Sequence, residues 1–528
     1  MKRSFVFHPL LLALYPPLAF FIHNLSELEP RLIFIPILII LGYSLFFWLI
    51  INLIFRNLKR SAIFVSLFLI FFFSYGHVSN LLQKVIESKL LLKYDGFFLL
   101  LWLIFFILTN YFLFKKIKTQ QRVDQITKFL NVVSLVLILI SFGQLINYSY
   151  QSRFLHQEIS STRKQEIKQA QSTRRIELPD IYYLIFDRYA STQSLKDYYN
   201  YDNSNFINFL TQKGFYVANQ SYANYPITDL SLASSLNIEY LDLLSRAVGP
   251  GSGDFRPLYE KFTNHQVGNF LKSQGYLYYH LGSTWWPTGG NKNADVNYRY
   301  QHPRPLLVFL FKFLETTALY PLYSGSIMVN EKDLMQPLSY EALTRETTLD
   351  QLEAITKIPD SPEPKFVFAH VLLPHEPYVF DQNGRFLSRK EAIEGDRRKL
   401  YLNQLIYTNQ LIEAMIEKLL VKTKGQAIII LQADEGPFPK RYKENEYVFQ
   451  WNQATIDELK EKLSILNAYY LPNINQTGLY PSITPVNTFR LVFNLYLRTS
   501  LPLLPDDIYV IKDRKHPYQY INVTSKLR

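Results

Sequence analysis

The chain has 528 residues, a formal net charge of +12 at neutral pH and no cysteine, and 48% of its residues are hydrophobic. Without cysteine it cannot be a disulfide scaffold, although an oxidising exterior remains compatible with it. It has no zinc-finger spacing, no glycine-rich phosphate loop and no internal repeat, and its basic residues do not stripe one helix. We therefore do not expect a nucleic-acid partner.

The first 150 residues contain apolar segments that are each close to the roughly 20 residues needed to cross a bilayer. They are 5–22, 32–55, 62–82, 97–114 and 129–148. We predict five transmembrane helices. The first is not expected to be a removable signal sequence, because Pro16 and Pro17 interrupt it and four further spans follow.

Lysine and arginine in the short loops predict the orientation, because such loops stay on the cytoplasmic side. The basic residues that fall on one side are Lys2, Arg3, Arg56, Lys59, Arg60, Lys115, Lys116, Lys118, Arg122 and Lys128, whereas the opposite loop carries Glu27, Glu29 and only Arg31. Five crossings then place everything after Tyr148 outside the cytoplasm. The basic stretch 153–175 opposes this, but long translocated domains usually override such a stretch. Basic loops beside a membrane also attract anionic lipid headgroups.

The composition divides the chain into a membrane domain (1–150), a polar linker (151–177) and an extracytoplasmic domain (178–528). In the last part, strand and helix patterns alternate. The predicted strands are 181–186, 215–218, 276–281, 366–372, 427–432 and 466–471. The predicted helices lie around 194–212, 229–245, 256–273, 389–420, 454–464 and 484–497. This alternation predicts an α/β domain with a mainly parallel central sheet.

Two of the predicted strands end in carboxylates. Asp187 follows the apolar run 181–186, and Asp434 with Glu435 follows the run 428–433. Apolar runs of this kind are typical of buried parallel strands, and ligands bind at the carboxyl ends of such strands. Adjacent acids repel each other unless they are solvated or bridged by a cation. The sequence therefore predicts a metal or phosphate site at this edge.

Four further residues are candidates for the same site. In one interpretation, Asp187 ligates a cation and Arg188 pairs with a phosphate oxygen. In the other, Asp187 caps a helix and forms a salt bridge with Arg188. Position alone favours neither interpretation. Thr228 opens a predicted helix, where the dipole favours both a nucleophilic hydroxyl and an anion; taken alone, a threonine there is more often only a cap. His370 lies inside a strand, where a core histidine is slightly favoured over a substrate-binding one. His375 lies in the loop beyond the strand, where an active role is favoured.

These residues, in this order, resemble the alkaline phosphatase superfamily, in particular its membrane-bound sulfatase-like branch, which includes lipoteichoic acid synthases and phosphoethanolamine transferases. The resemblance covers about 178–500 and rests on Asp187, on Thr228 three residues before Ser231, on His375 with Pro377, and on Asp434-Glu435-Gly436. It implies that Asp187, Thr228, Asp434 and Glu435 surround one divalent metal ion. It also implies that Thr228 is the nucleophile and that His375 contacts the substrate.

The sequence departs from the family pattern in two places. The family usually has Asp-His-Gly where this chain has Asp434-Glu435-Gly436, and an all-oxygen site favours Mn or Mg, with Ca or Zn as further options. The same glutamate could instead mark a lost activity. Sulfatases proper mature a cysteine or serine in a Cys/Ser-x-Pro-x-Arg motif. This chain has no cysteine, and Ser231-Leu232-Ala233-Ser234 lacks both the proline and the arginine, which argues against sulfate-ester hydrolysis by that route.

The resemblance therefore implies a membrane-anchored, metal-dependent phospho-headgroup transferase or phosphodiesterase that acts through Thr228. A membrane phospholipid is the expected donor, and a glycan or a lipid is the expected acceptor. Two alternatives remain open. One is a sulfatase-like hydrolase of phosphate or sulfate esters, and the other is a catalytically silent protein of the same fold that binds a glycan or a lipid.

Overall fold

The computed structural model describes residues 5–23, 33–86, 95–162, 178–298, 309–310, 313–323, 340–444, 449–474 and 478–528. The chain forms two compact units, Met1–Phe154 with Gln301–Leu338 and Leu155–Tyr300 with Ser339–Arg528. The orientation prediction used residues that lie outside the described part, namely Lys2, Arg3, Glu27, Glu29 and Arg31. The linker predicted over 151–177 is helical as far as Thr162, and its residues 163–177 also lie outside.

The first unit contains apolar helices that match the five predicted segments. They are α1 (His8–His23), α2 (Phe34–Phe55), α3 (Leu58–Ile86), α4 (Asp95–Lys116) and α5 (Gln120–Thr162). Helices α2 to α5 each contain a segment long and apolar enough to cross a membrane, whereas α1 has only 16 residues and contains Pro16 and Pro17. The N-terminal unit is therefore that of an integral membrane protein.

Helix α3 is the most enclosed of these helices. Half of its apolar window is buried, compared with 11% to 22% in α2, α4 and α5, whose large apolar side chains point outward as lipid-facing residues do. Lys59 contacts Asp124 at 2.7 Å, and Arg60 Nη2 donates to the Ile117 carbonyl at 3.4 Å. These contacts join the α2–α3 turn and the α4–α5 turn at one end of the unit.

A segment distant in sequence completes the first unit. Phe309 and Phe313 are buried in the apolar cluster of α1, α2 and α3, and a short helix, Tyr320–Tyr323, follows them. The Gly76 N–H of α3 donates to the Thr316 carbonyl at 3.1 Å, and a Cβ at Gly76 would lie only 2.7 Å from that backbone. Sequence analysis had assigned no element to this segment.

The second unit is built on a seven-stranded sheet. Its strands are β1 (Ile181–Phe186), β2 (Tyr216–Val217), β3 (Leu277–Leu281), β4 (Val296–Tyr298), β5 (Lys365–Val371), β6 (Ile428–Gln432) and β7 (Asn467–Tyr470), in the spatial order β2-β7-β6-β1-β5-β3-β4. Strand β7 pairs antiparallel with β6 and β2, and the pairs from β6 through β4 are parallel. The predicted α/β domain with a mainly parallel sheet is confirmed.

Helices cover the sheet, and several predicted helices are divided in two. They are α6 (Thr192–Tyr199), α7 (Ser204–Gln212), α8 (Thr228–Ser235), α9 (Asp242–Val248), α10 (Arg256–Thr263), α11 (Gln266–Ser273), α12 (Tyr340–Thr356), α13 (Arg389–Glu394), α14 (Arg397–Lys422), α15 (Ile456–Leu463), α16 (Pro485–Tyr496) and α17 (Thr524–Leu527). The helix predicted over 194–212 breaks where Asn200 takes a left-handed conformation (φ 50°) and ends α6. A two-stranded sheet of β8 (Tyr509–Ile511) and β9 (Tyr520–Asn522) was not predicted.

Strand register brings the chemistry to one edge of the sheet. Strand β1 lies between β5 and β6, its six residues are buried, and Ile185 pairs with His370 on one side and with Gln432 on the other. Asp187 follows β1, and its N–H donates to the Val371 carbonyl at 3.0 Å. The ends of β1, β5 and β6 therefore meet at the same edge.

Candidate active site

Three side chains from these strand ends form a group with the spacing of metal ligands. One ligand atom each from Asp187, His370 and Asp434 lies within 4.8 Å of the other two, and all three residues are buried. His370 Nε2 lies 3.4 Å from Asp187 Oδ2. Two of these residues are predicted ligands, and the third was predicted only as a core or substrate-binding histidine.

Three atoms of this group and one atom of the neighbouring Glu435 are buried without a hydrogen-bond partner among the described residues. They are Asp187 Oδ1, His370 Nε2, Asp434 Oδ2 and Glu435 Oε2. Leaving a buried polar atom unpaired usually costs about 1–3 kcal/mol, and more when the group is charged. A bound cation would remove that cost, so the residues present fit a divalent metal ion.

The orientation of His370 suits the role of a ligand. Its Nδ1 lies 3.0 Å from the Thr288 hydroxyl, which in turn lies 2.8 Å from the Ser283 hydroxyl. A metal-binding histidine usually uses its second nitrogen in such a contact, which fixes the ring. Because an imidazole nitrogen belongs to this group, these three residues could also hold zinc, and the preference for Mn or Mg drawn from an all-oxygen site stays a prediction.

Thr228 meets this group from the neighbouring helix. Helix α8 begins at Thr228 with Ile227 at the N-cap position and no side-chain cap, so Thr228 is not the capping residue that the sequence left open. Its half-buried side chain lies close enough to Asp434 to oppose the rise in the pKa of that carboxyl. The hydroxyl therefore lies next to a candidate ligand and at the positive end of the helix dipole.

Arg188 has several contacts on the same side. Its backbone is left-handed (φ 63°), a conformation uncommon for residues other than glycine, and its N–H donates to Asp434 Oδ1 at 3.3 Å. The guanidinium contacts Glu435 at 3.1 Å and Glu376 at 3.5 Å. Helix α6 begins only at Thr192 and is capped by Ser191, so the helix-cap interpretation of Asp187 does not apply.

Glu435 is buried but lies outside the three-residue group. Its Oε1 contacts Lys462 Nζ at 2.8 Å and Arg188 Nε at 3.1 Å. The prediction that Glu435 ligates the metal stays a prediction, with Oε2 as the atom available for that role. Sequence analysis did not anticipate Lys462, because it lies on α15, and only tertiary structure brings that helix to the Asp434 loop.

Burial and charge shift the pKa values of these groups in different directions. Burial raises the pKa of Asp187, but His375, His370 and Arg188 outweigh it, so the net direction is down. Burial, Asp187 and Glu435 hold the pKa of Asp434 well above its ordinary value. Two carboxyl groups this close together whose pKa values shift in opposite directions indicate a site that a shared cation would stabilise.

Glu435 and Lys462 are shifted mainly by burial. It raises the pKa of Glu435, although Lys462 and Arg188 act in the opposite direction. It lowers the pKa of Lys462 to about 8, although Glu435 favours the charged form. Each group therefore depends on the other to remain charged in the interior.

His375 borders a pocket beside the candidate metal group. Its Nε2 lies 4.0 Å from Asp187 Oδ2, and burial followed by Arg188 lowers its pKa. The pocket has a volume of about 160 Å³, and its lining includes Arg188, His375, Glu376, Tyr378, Arg397 and Phe438. Glu376 contacts both Arg188 and Arg397, so it holds two of the cationic walls in place.

The fold and this site define an α/β protein of the alkaline phosphatase superfamily. The family model described as Sulfatase matches residues 191–484, which is more than half of the chain. The chain therefore belongs to the sulfatase family. No curated protein matches it.

Two solved structures to which the chain is similar are a periplasmic domain and an integral membrane transferase. The periplasmic domain of EptC from Escherichia coli, in complex with Zn, is 12% identical over 67% of this chain and 95% of its own, with a TM-score of 0.40. The integral membrane lipooligosaccharide phosphoethanolamine transferase EptA from Neisseria meningitidis is 13% identical over 93% of this chain and 95% of its own, with a TM-score of 0.37. At these identities and scores, neither likeness bears on what this chain acts on.

Proposed function

We propose that this protein is a membrane-anchored phosphotransferase whose α/β domain lies outside the cytoplasm and attacks a phosphodiester through Thr228. The observation that carries the proposal is the meeting of the Thr228 hydroxyl, at the start of α8, with the metal-ligand group of Asp187, His370 and Asp434. We assign those three residues and Thr228 as the ligands of one divalent cation, either Mn²⁺ or Zn²⁺. When bound, the cation would act as a Lewis acid that lowers the pKa of the Thr228 hydroxyl.

The charges of the site support an anionic substrate. Asp187, Asp434 and Glu435 supply three buried carboxylates, and Arg188 and Lys462 supply two buried cationic groups. This leaves one uncompensated negative charge, which a divalent cation would turn into one positive charge. A site with that balance attracts a phosphodiester monoanion, and the N-terminus of α8 adds to the attraction.

The residues of the chain then divide the reaction between them. The Thr228 oxygen forms a bond to phosphorus while the bond from phosphorus to the leaving ester oxygen breaks, and the hydroxyl proton ends on that leaving oxygen. Thr228 then carries a phosphoryl group that keeps the second ester substituent of the substrate. Arg188 contacts the phosphoryl oxygens. His375 borders the pocket and exchanges a proton with the leaving or the entering oxygen. His370 is fixed by Thr288, which suits a ligand better than a residue that contacts substrate.

The membrane helices indicate where the substrate of the proposed reaction comes from. A phospholipid headgroup beside an anchored domain is present at high effective concentration. Transfer and hydrolysis share every residue named above and differ only in the acceptor. An assay that follows both water and an added glycan or lipid alcohol as acceptors separates the two.

Thr228→Ala tests the assignment of the nucleophile. We expect the full-length variant in detergent to lose turnover of bis(p-nitrophenyl) phosphate while keeping its bound cation and its melting temperature. Thr211→Ala is a matched control, because Thr211 is an exposed helical threonine whose hydroxyl donates to backbone carbonyls of its own helix, α7. Trapped wild-type protein should carry the p-nitrophenyl phosphoryl group on Thr228 by mass spectrometry. Full turnover by Thr228→Ala would refute the assignment.

A silent binding protein of the same fold is the second candidate, because Lys462 and Arg188 already neutralise much of the buried negative charge. Metal analysis separates the two candidates. Purified protein that takes up no stoichiometric Mn²⁺ or Zn²⁺ after supplementation would favour the silent candidate. One cation per chain supports the phosphotransferase.

A further inference from the structure

Glu435 sits between two cationic side chains, and all three residues are buried. The same oxygen, Oε1, contacts Lys462 Nζ at 2.8 Å and Arg188 Nε at 3.1 Å. Lys462 is 0% exposed and Glu435 is 1% exposed. A buried lysine is strongly destabilising unless it is paired, so Lys462 at this point requires the carboxylate that faces it.

Lys462 is locked to the loop that carries the candidate ligand Asp434. Its Nζ donates to the Gly436 carbonyl at 3.1 Å and lies 3.6 Å from the centre of the Phe438 ring. The Gly436 N–H donates to the Lys462 carbonyl at 2.7 Å. Side chain and backbone together therefore fix the end of α15 against the segment that follows β6.

Arg188 is the group that Glu435 holds. Its guanidinium lies 3.8 Å from the centre of the Phe438 ring and lines the pocket, whereas Lys462 does not reach the pocket. Its backbone N–H contacts Asp434. An arginine side chain has many rotamers, and the contact from Nε to Glu435 selects one that presents the other guanidinium nitrogens to the pocket.

We propose that Lys462 is a positioning residue: it neutralises Glu435, and Glu435 orients Arg188 toward the oxygens of the reacting phosphoryl group. This inference rests on the proposed function and deepens it. A neutral histidine at position 435, the usual family residue, could neither form an ion pair with Lys462 nor hold the guanidinium by its charge. Glu435 and Lys462 therefore act together to hold the positive charge of Arg188 beside the metal group.

A double-mutant cycle separates positioning from mere stabilisation. Glu435→Gln leaves the buried Lys462 without its counter-charge, and Lys462→Met leaves the buried Glu435 with Arg188 as its one remaining cationic contact, so both variants should melt at lower temperature. The double variant should regain much of the melting temperature, because no buried charge of that pair remains. Its kcat should stay about a hundredfold low, because a guanidinium that is displaced by about 1 Å no longer fits the reacting group. Recovery of kcat together with the fold would overturn the proposal.

Lys462→Arg provides the conservative variant and should retain more kcat than Lys462→Met. The matched control is the ion pair of the buried Lys365 with the half-buried Asp180, 3.1 Å apart, at the opposite edge of the sheet where β5 and β1 begin. The double variant Lys365→Met/Asp180→Asn should change the melting temperature but not kcat. A fall in kcat as large as that of the Lys462 series would show that any buried pair has the same effect, and would refute a positioning role.

Metal content tells apart the failure of this inference and the failure of the proposed function. Glu435→Gln should keep its full complement of cation, and loss of the cation would show that Glu435 is a ligand, which overturns the positioning role. If Thr228→Ala retains full turnover, the proposed function fails. If Thr228→Ala is inactive but the Glu435→Gln/Lys462→Met variant turns over like the wild type, only the positioning role fails.

Discussion

Gly436 links the stability of the α/β domain to the arrangement of its site. An added Cβ would lie 2.6 Å from the Glu461 carbonyl oxygen and 2.8 Å from the Lys462 carbonyl oxygen. Both contacts are with backbone, which cannot move aside as the tip of a side chain can. The first distance must lengthen to at least 3.0 Å, which displaces the end of α15 from the Asp434 loop.

Gly436→Ala should therefore destabilise the protein and lower its turnover together. Overpacking of this kind costs about 1–3 kcal/mol. For a domain of this size, that corresponds to a fall in melting temperature of roughly 1–4 °C. The same displacement moves Lys462 away from Glu435. The fall in kcat should therefore be larger than that of a variant that is destabilised equally at a position away from the site. Differential scanning fluorimetry and the chromogenic diester assay, on full-length protein in detergent, measure the two effects.

Gly251→Ala is the matched control, because a Cβ there meets no atom within 4 Å and its backbone is not in the left-handed region. It should leave both the melting temperature and the turnover unchanged. An unchanged melting temperature in Gly436→Ala would refute the steric argument. A lower melting temperature with normal kcat would refute the link from α15 to the site.

Three further predictions follow from particular contacts. Burial raises the pKa of Glu461 to about 7, so the folded protein keeps a proton that the unfolded chain releases above about 4.5. The free energy of unfolding should therefore fall from pH 5 to 7. Glu461→Gln should flatten this slope in denaturant titrations. Thr288→Val removes the contact that fixes His370, and cation affinity measured by calorimetry should fall about 10–100-fold. Gly76→Val would clash with the Thr316 backbone, so the first unit should unfold more readily in detergent than with Gly143→Val, a control with open space. The first prediction is wrong if the free energy of unfolding does not change with pH, and the second if Thr288→Val binds the cation as tightly as the wild type. The third is wrong if the two glycine variants unfold equally readily.

The chemistry-bearing edge of the sheet could be predicted because it depends on local patterns. The runs before Asp187 and Asp434 are continuous apolar segments, and parallel strands that are buried on both faces require such segments. Their carboxyl ends share one edge, which brought the two aspartates together in the prediction and in the structure. Length and hydropathy likewise identified the apolar helices of the first unit.

The rest of the site depends on register and on tertiary contacts. The sequence pattern around His370 is typical of a core residue in an apolar strand. Its pairing with Ile185 in the structure shows that it lies near the end of β5, beside Asp187. A check of which residues face one another across the predicted strands could have found it. Lys462 on α15 had no signal of that kind, because an isolated lysine in an amphipathic helix is usually solvent-exposed.

Short elements and non-local packing were also missed for physical reasons. Strands β4, β8 and β9 have three residues each, too few for an alternating pattern. The segment with Phe309 and Phe313 has an apolar pattern too brief to indicate packing against helices more than 200 positions earlier. Its burial comes from the helices that surround it.

Anomalous diffraction from crystals of the full-length chain grown with Mn²⁺ tests the central claim most directly. We expect one anomalous peak at roughly 2.0–2.2 Å from ligand atoms of Asp187, His370 and Asp434. The Thr228 oxygen should lie beside the peak, and Glu435 should contact Lys462. A cation bound elsewhere, or no cation among these three side chains, would contradict the claim that they share one ion.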